Sequence, residues 1–352
     1  MSAHPSLLMT TSRSSVIVID DCPDTRYSHN AHDPLTYTDN ALLCGIFPGP
    51  PFASRLQEMP NLRSLTMTKH DYAPHGLPWE TVRAILSLQH LRELEVVSLR
   101  FCPVLRPEDD LTLGAVTPLT SFRYRMDHPR QPTSYPSETA VLTTVLAKLC
   151  DSLETLVLMS EPASLPDLAQ LQWPRLRKLV FYGTPFPIAL PIASLCAGMP
   201  SLRSLSMKLS ATSDAVPQPL WPQGFMGPSL PDLDSLMISY PDPQDEVFDH
   251  LPSSLRSLSL RCWPHVDLQQ ANPRYNPNLD AVPNFSAVLS ILRRCNALAL
   301  DHLELEYFTD AEGDAALLEY IARAFPSLSS VKLYRHRTRY DTSVPVVSAL
   351  DD

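Results

Sequence analysis

Apolar residues recur along the chain in a three-position frame, L-x-x-L-x-L. It reads Met59-Pro60-Asn61-Leu62-Arg63-Ser64-Leu65-Thr66-Met67 and returns as Met199-Pro200-Ser201-Leu202-Arg203-Ser204-Leu205-Ser206-Met207. Further copies start at Leu91, Leu119, Leu153, Leu176, Leu233, Leu255, Leu300 and Leu328. A fixed apolar frame returning every few tens of residues marks a repeat solenoid, in which each unit buries its core against its neighbours. Successive strand residues point to opposite faces, so Leu65 and Met67 point inward together while Ser64, Thr66 and Thr68 face solvent. Leu62 enters from the preceding turn.

Parallel strands need a crossover, usually a helix. The spacing predicts helices over 79–88, 138–149, 285–294 and 311–325, with Ser137 capping the second and Asn284 the third. Pro60, Pro174, Pro200, Pro231 and Pro326 each stand two residues ahead of a frame leucine, marking helix end and strand start. Two proline-rich stretches, 211–229 and 262–283, carry no helical period and read as loops projecting from the solenoid. Residues 1–58 hold a strand at Val16-Ile17-Val18-Ile19, a helix over 38–46 and a break at Gly49-Pro50-Pro51; they read as a degenerate first rung or cap. Residues 59–336 form the repeat region and 337–352 a polar tail. The expected fold is therefore α/β: a horseshoe-shaped leucine-rich repeat solenoid of about ten irregular rungs, with a concave parallel sheet and convex helices and loops.

Composition narrows the function. A net charge of −10 lacks the basic footprint of general nucleic-acid or anionic-membrane binding. Proline is abundant at 36 residues and glycine scarce at 9, which suits short, stiff connections between rungs. The seven cysteines include no C-x-x-C pair, so neither a zinc module nor a disulfide framework is expected. With no basic-then-apolar leader and no apolar run long enough to span a bilayer, the expected compartment is cytoplasm or nucleus.

Signatures of catalysis are missing. There is no G-x-S-x-G elbow, no GxxxxGK[ST] phosphate loop and no GxGxxG turn. His29-x-x-His32-Asp33, and His70 with Asp71 and His75, have metal-like spacing but no second ligand cluster. Cys150, Cys196 and Cys295 read as packing residues. The chain is expected to be no enzyme and to hold no metal or cofactor.

Repeat proteins bind along the strand face, so its outward positions are the candidate site. They place Arg123, Arg125, Lys178, Lys208 and Arg261 in a basic centre with apolar spots at Val157, Met159, Val180, Tyr182 and Met237. Glu93/Glu95 and Glu304/Glu306 flank it. This pattern suits a protein partner with an acidic or phosphorylated segment and an apolar anchor. Trp221 and Phe225, followed by Met226, form a second candidate surface as loop anchors; the rival reading folds them back over the solenoid.

The frame and its proline approach, in rungs of uneven length over residues 62–336, resemble the leucine-rich repeat region of F-box proteins, especially the divergent fungal sets. That resemblance implies a substrate-recruiting role beside a cullin ubiquitin ligase. The adaptor-binding F-box itself, a Leu-Pro-x-Glu-type opening before helical leucines, has no counterpart in residues 1–61. A cullin-ligase adaptor is thus an expected partner only if an F-box accompanies this chain. The alternative is a stand-alone scaffold unconnected with ubiquitin transfer. The asparagine that usually follows the third apolar position is also replaced, for example by His70, Glu161 and Thr184.

Overall fold

The computed structural model describes residues 14–19, 49–69, 76–102, 105, 109–126, 130, 135–186, 190–211, 219–227, 230, 232–262, 281–295, 299–309 and 313–337. The chain divides into two compact units. The first runs to residue 188 and takes in residues 198–201; the second holds residues 189–197 and those from 202 onward.

In chain order the first unit contains β1 (Ser14–Ile19), α1 (Gly49–Gln57), β2 (Ser64–Lys69), β3 (Gly76–Leu77), α2 (Trp79–Leu86), β4 (Glu93–Val97), β5 (Arg100–Phe101), β6 (Ser121–Arg125), α3 (Pro136–Leu149), β7 (Thr155–Met159), α4 (Leu165–Gln170) and β8 (Lys178–Gly183). Six of these strands form a parallel sheet in the order β1-β2-β4-β6-β7-β8, and β3 pairs with β5 apart from it. The register follows the sequence frame: Leu65, Leu94, Phe122, Leu156 and Leu179 stand side by side across five strands. All five are buried, as are Met67, Val96, Tyr124, Leu158 and Phe181 two residues on. Burying one such side chain is worth roughly 2 kcal/mol, and the sheet stacks them in rows. β1 joins the same register, with Ser15 beside Leu65 and Ile17 beside Met67.

The second unit contains β9 (Ser204–Leu209), β10 (Ser235–Ile238), β11 (Ser257–Leu260), α5 (Phe285–Arg294), β12 (His302–Phe308), α6 (Gly313–Ala324) and β13 (Ser330–His336), with 3-10 turns at Ile192–Gly198 and Glu246–Asp249. Its five strands are parallel and pair in chain order. Leu205, Leu236, Leu258, Leu303 and Val331 share one row. Each unit is therefore built on a parallel α/β sheet, and each frame copy leads into one of its strands.

Several helix ends differ from expectation. α3 begins at Pro136, one residue before the expected cap Ser137, because proline at the first helical position gives up an N–H that has no partner there anyway. The same reasoning explains α1: Gly49-Pro50-Pro51 opens a helix instead of breaking the chain. Asn284 caps α5 as expected, accepting from Ala287 N at 2.8 Å. Ser164 accepts from Asp167 N at the start of α4, a short helix the spacing had not predicted. The expected helix over 38–46, both histidine clusters, most of 262–283 and the tail from 338 lie outside the described residues. Among the described residues no helix is long and apolar enough to cross a membrane.

Candidate functional site

Each unit presents the outward positions of its strands, and each is a candidate surface by itself. In the first unit one outward row runs Ser64, Glu93, Ser121, Thr155, Lys178, and the next runs Thr66, Glu95, Arg123, Val157, Val180. Alternation along a strand forces this grouping, because residues two apart share a face. Arg123 and Lys178 are exposed, and Arg123 donates from Nε to Ser121 Oγ at 3.3 Å. Arg125 donates from Nε to Glu95 Oε1 at 3.0 Å, so its charge is matched by the neighbouring strand. The acidic flank expected from sequence thus neutralises part of the basic centre.

The apolar spots fare less well as anchors. Val157 and Val180 are buried although their row faces outward, and Tyr182 is half-buried. Met159 is fully buried, which removes it from any docking surface. The chain leaving β6 passes over it, and Met126 N donates to its sulfur at 3.2 Å. A strand's last outward residue is covered whenever the neighbouring turn folds across it, and alternation alone does not register that.

In the second unit the outward rows are Ser204, Ser235, Ser257, His302, Ser330 and Ser206, Met237, Ser259, Glu304, Lys332. Met237 and Lys208 are half-buried and Lys332 is exposed. Arg261 lies 4.0 Å from Glu304 and places its guanidinium 5.0 Å from the centre of the Tyr334 ring, a cation–π geometry. Ser259 donates to Glu304 at 2.7 Å. Glu306, expected on the surface, is buried: it accepts from Cys262 N at 2.9 Å and lies 2.9 Å from His336 Nε2. The five cations of the expected basic centre therefore fall three in the first unit and two in the second.

The loop anchors are corrected as well. Trp221 is only 3% exposed. Its indole stacks on the His250 ring at 4.4 Å between centroids, and its N–H donates to Phe225 O at 2.8 Å. Buried Asp245 holds the segment in place, accepting from Leu220 N at 2.6 Å, Trp221 N at 2.9 Å and Val247 N at 3.0 Å. The tryptophan folds back, and Phe225 packs edge-on against it. Of these three side chains Met226 alone is strongly exposed.

Sequence reading missed a buried polar cluster in the first unit. Arg130 Nη1 lies 2.7 Å from Glu138 Oε2, and Glu138 Oε1 accepts from Tyr124 O–H and Phe101 N, each at 3.0 Å. Burial holds the Tyr124 phenol and the nearby Cys102 thiol well above their ordinary pKa values, with the Glu138 charge adding to both. Burial likewise pushes the Cys196 and Cys295 thiols up to about 12. These thiols stay protonated at neutral pH and are poor nucleophiles. Nothing in the spacing of Arg130 and Glu138 marks them, since a glutamate in a helix's first turn usually faces water.

Among the described residues no group of three or more histidine, cysteine or carboxylate side chains is placed to hold a metal ion. No protein-family model matches the chain, and no curated protein shows significant similarity to it.

Proposed function

We propose that this chain is a leucine-rich repeat solenoid that recognises protein partners, without catalysis, on the outward face of its parallel strands. The observation that carries this reading is the in-register frame. The leucine rows are buried on one side, and the other side presents rows of serine, threonine and charged residues, Arg123 and Lys178 most openly. A parallel sheet usually hides both faces under helices and then reads as continuous apolar runs. Here the strands alternate, which leaves one polar face for a ligand. Arg123 and Lys178 are exposed and pair with no carboxylate among the described residues, which favours an acidic or phosphorylated partner segment. The buried, protonated thiols and phenol favour a structural role for those groups over a chemical one.

The functional class we propose is that of the substrate-recruiting part of an F-box receptor. Two experiments test the proposal. Affinity purification with Arg123→Glu/Lys178→Glu beside Lys148→Glu, an exposed change on α3, is expected to lose the partner only with the first pair. Binding of purified cullin-ligase adaptor to this chain would support the ubiquitin-linked role; lack of binding, with the partner still captured, would identify a stand-alone scaffold.

A further inference from the structure

Between Glu93 and Lys178 the charge of the first unit's outward row changes sign. Glu93, Ser121, Thr155 and Lys178 are register partners on β4, β6, β7 and β8. Glu93 and Lys178 are exposed, whereas Ser121 is buried and Thr155 half-buried. Glu93 accepts from Ser64 Oγ at 3.3 Å and pairs with no cation among the described residues. The arginines before it are committed elsewhere: Arg63 donates to His90 O and Arg92 to Leu91 O. On β6, Arg123 turns its Nε to Ser121 Oγ, which brings its charge to this row. At the far end Arg175 and Arg177 are exposed close to Lys178 in the chain. Glu95 and Arg125, two further opposite charges of this face, already pair with each other. The row is therefore negative at β4 and positive from β6 to β8.

The geometry points to a partner segment of matching pattern: an extended peptide crossing the strands, with a basic residue over Glu93 and acidic residues two and four positions away, over Arg123 and Lys178. Three strand spacings of about 4.8 Å separate Glu93 from Lys178, roughly 14 Å. An extended chain advances about 3.3 Å per residue, so residues four apart in it stand roughly 13 Å apart. Alternation turns the first, third and fifth residues to one side, so all three charges face the sheet together. The small side chains of Ser121 and Thr155 leave room for them. This inference rests on recognition by the strand face and adds the charge order that face selects. A wholly acidic segment would meet Glu93 as a like charge, whereas a basic residue there complements it and fixes which end of the segment lies over β4.

The test measures binding of fluorescein-labelled peptides to the full chain at low salt. Two peptides carry a lysine and two glutamates at alternate positions, with the lysine first in one and last in the other. A third places the lysine between the glutamates, and a fourth carries three glutamates. One of the end-lysine peptides is expected to bind about threefold or more tighter than the third and fourth, on the scale of exposed ion pairs. Glu93→Lys should transfer the preference to the all-glutamate peptide. Equal binding of end-lysine and central-lysine peptides, a preference of the unaltered chain for three glutamates, or no binding at all overturns the proposal; an unchanged preference in Glu93→Lys counts equally against it. Partner capture with Arg123→Glu/Lys178→Glu judges strand-face recognition separately, so a charge order that fails while capture still depends on that pair removes this inference alone.

Discussion

Arg130 and Glu138 form an ion pair whose two side chains are both buried, Nη1 lying 2.7 Å from Oε2. The Arg130 guanidinium also lies 3.8 Å above the Tyr135 ring. Glu138 stands in the first turn of α3 and bonds to β5 and β6, so it ties helix to strands.

Removing one partner of such a pair strands a buried charge, which costs about 3–5 kcal/mol. Glu138→Ala should therefore lower the urea midpoint sharply with little change in slope. The double change Arg130→Met/Glu138→Leu should recover much of the loss, because matched apolar residues can replace a buried pair. Equal loss in the single and double variants would contradict the assignment.

Glu161 supplies a pH dependence. Its Oε1 accepts from Arg130 N and Thr184 N, each at 3.0 Å, and burial outweighs these bonds and raises its pKa. The folded state thus holds a proton that the unfolded chain has already released, so this group's contribution is full at low pH. It is lost as pH rises from the ordinary carboxylate range through the raised folded value. Glu161→Gln keeps an oxygen for both N–H groups, so it should flatten stability against pH in that window and cost nothing at neutral pH. Gly183 beside it has φ +123°, and a Cβ there would stand 2.3 Å from Glu161 Oε2. Gly183→Ala should cost more than about 1 kcal/mol in a thermal melt.

Asp245 fastens the 219–227 segment through two of its backbone N–H groups, Leu220 and Trp221, and accepts a third from Val247 N beside it. Each buried donor left unmet costs about 1–3 kcal/mol. Asp245→Ala should lower the melting temperature and open this segment to limited proteolysis, with cleavage near Trp221 appearing first.

Thiol labelling reads the burial directly. Cys102, Cys196, Cys262 and Cys295 are buried and Cys150 is half-buried. At pH 8 in the folded protein, Cys150 should label ahead of the other four, which should react only on denaturation.

The rows of the sheet were legible in the sequence. Every frame leucine from Leu62 to Leu328 leads into a strand whose register matches the frame, because strand alternation is local and the apolar spacing records it. Coverage of outward residues was not legible. The pattern puts Met159 and Glu306 on the surface and leaves Trp221 between exposed anchor and folded-back cover, yet a neighbouring turn lies over the first, a strand-end histidine pairs with the second and a distant aspartate holds the third's backbone. Such burial depends on which loop folds over which strand, and no short-range pattern encodes it. The Arg130–Glu138 pair was missed for the same reason.

The most direct test of the central claim places a photo-cross-linking residue at the outward position Arg123 and, separately, at Lys148 on α3, then compares captured proteins. Partner capture from Arg123 but not from Lys148 is the predicted result. Capture from Lys148 alone would contradict recognition by the strand face.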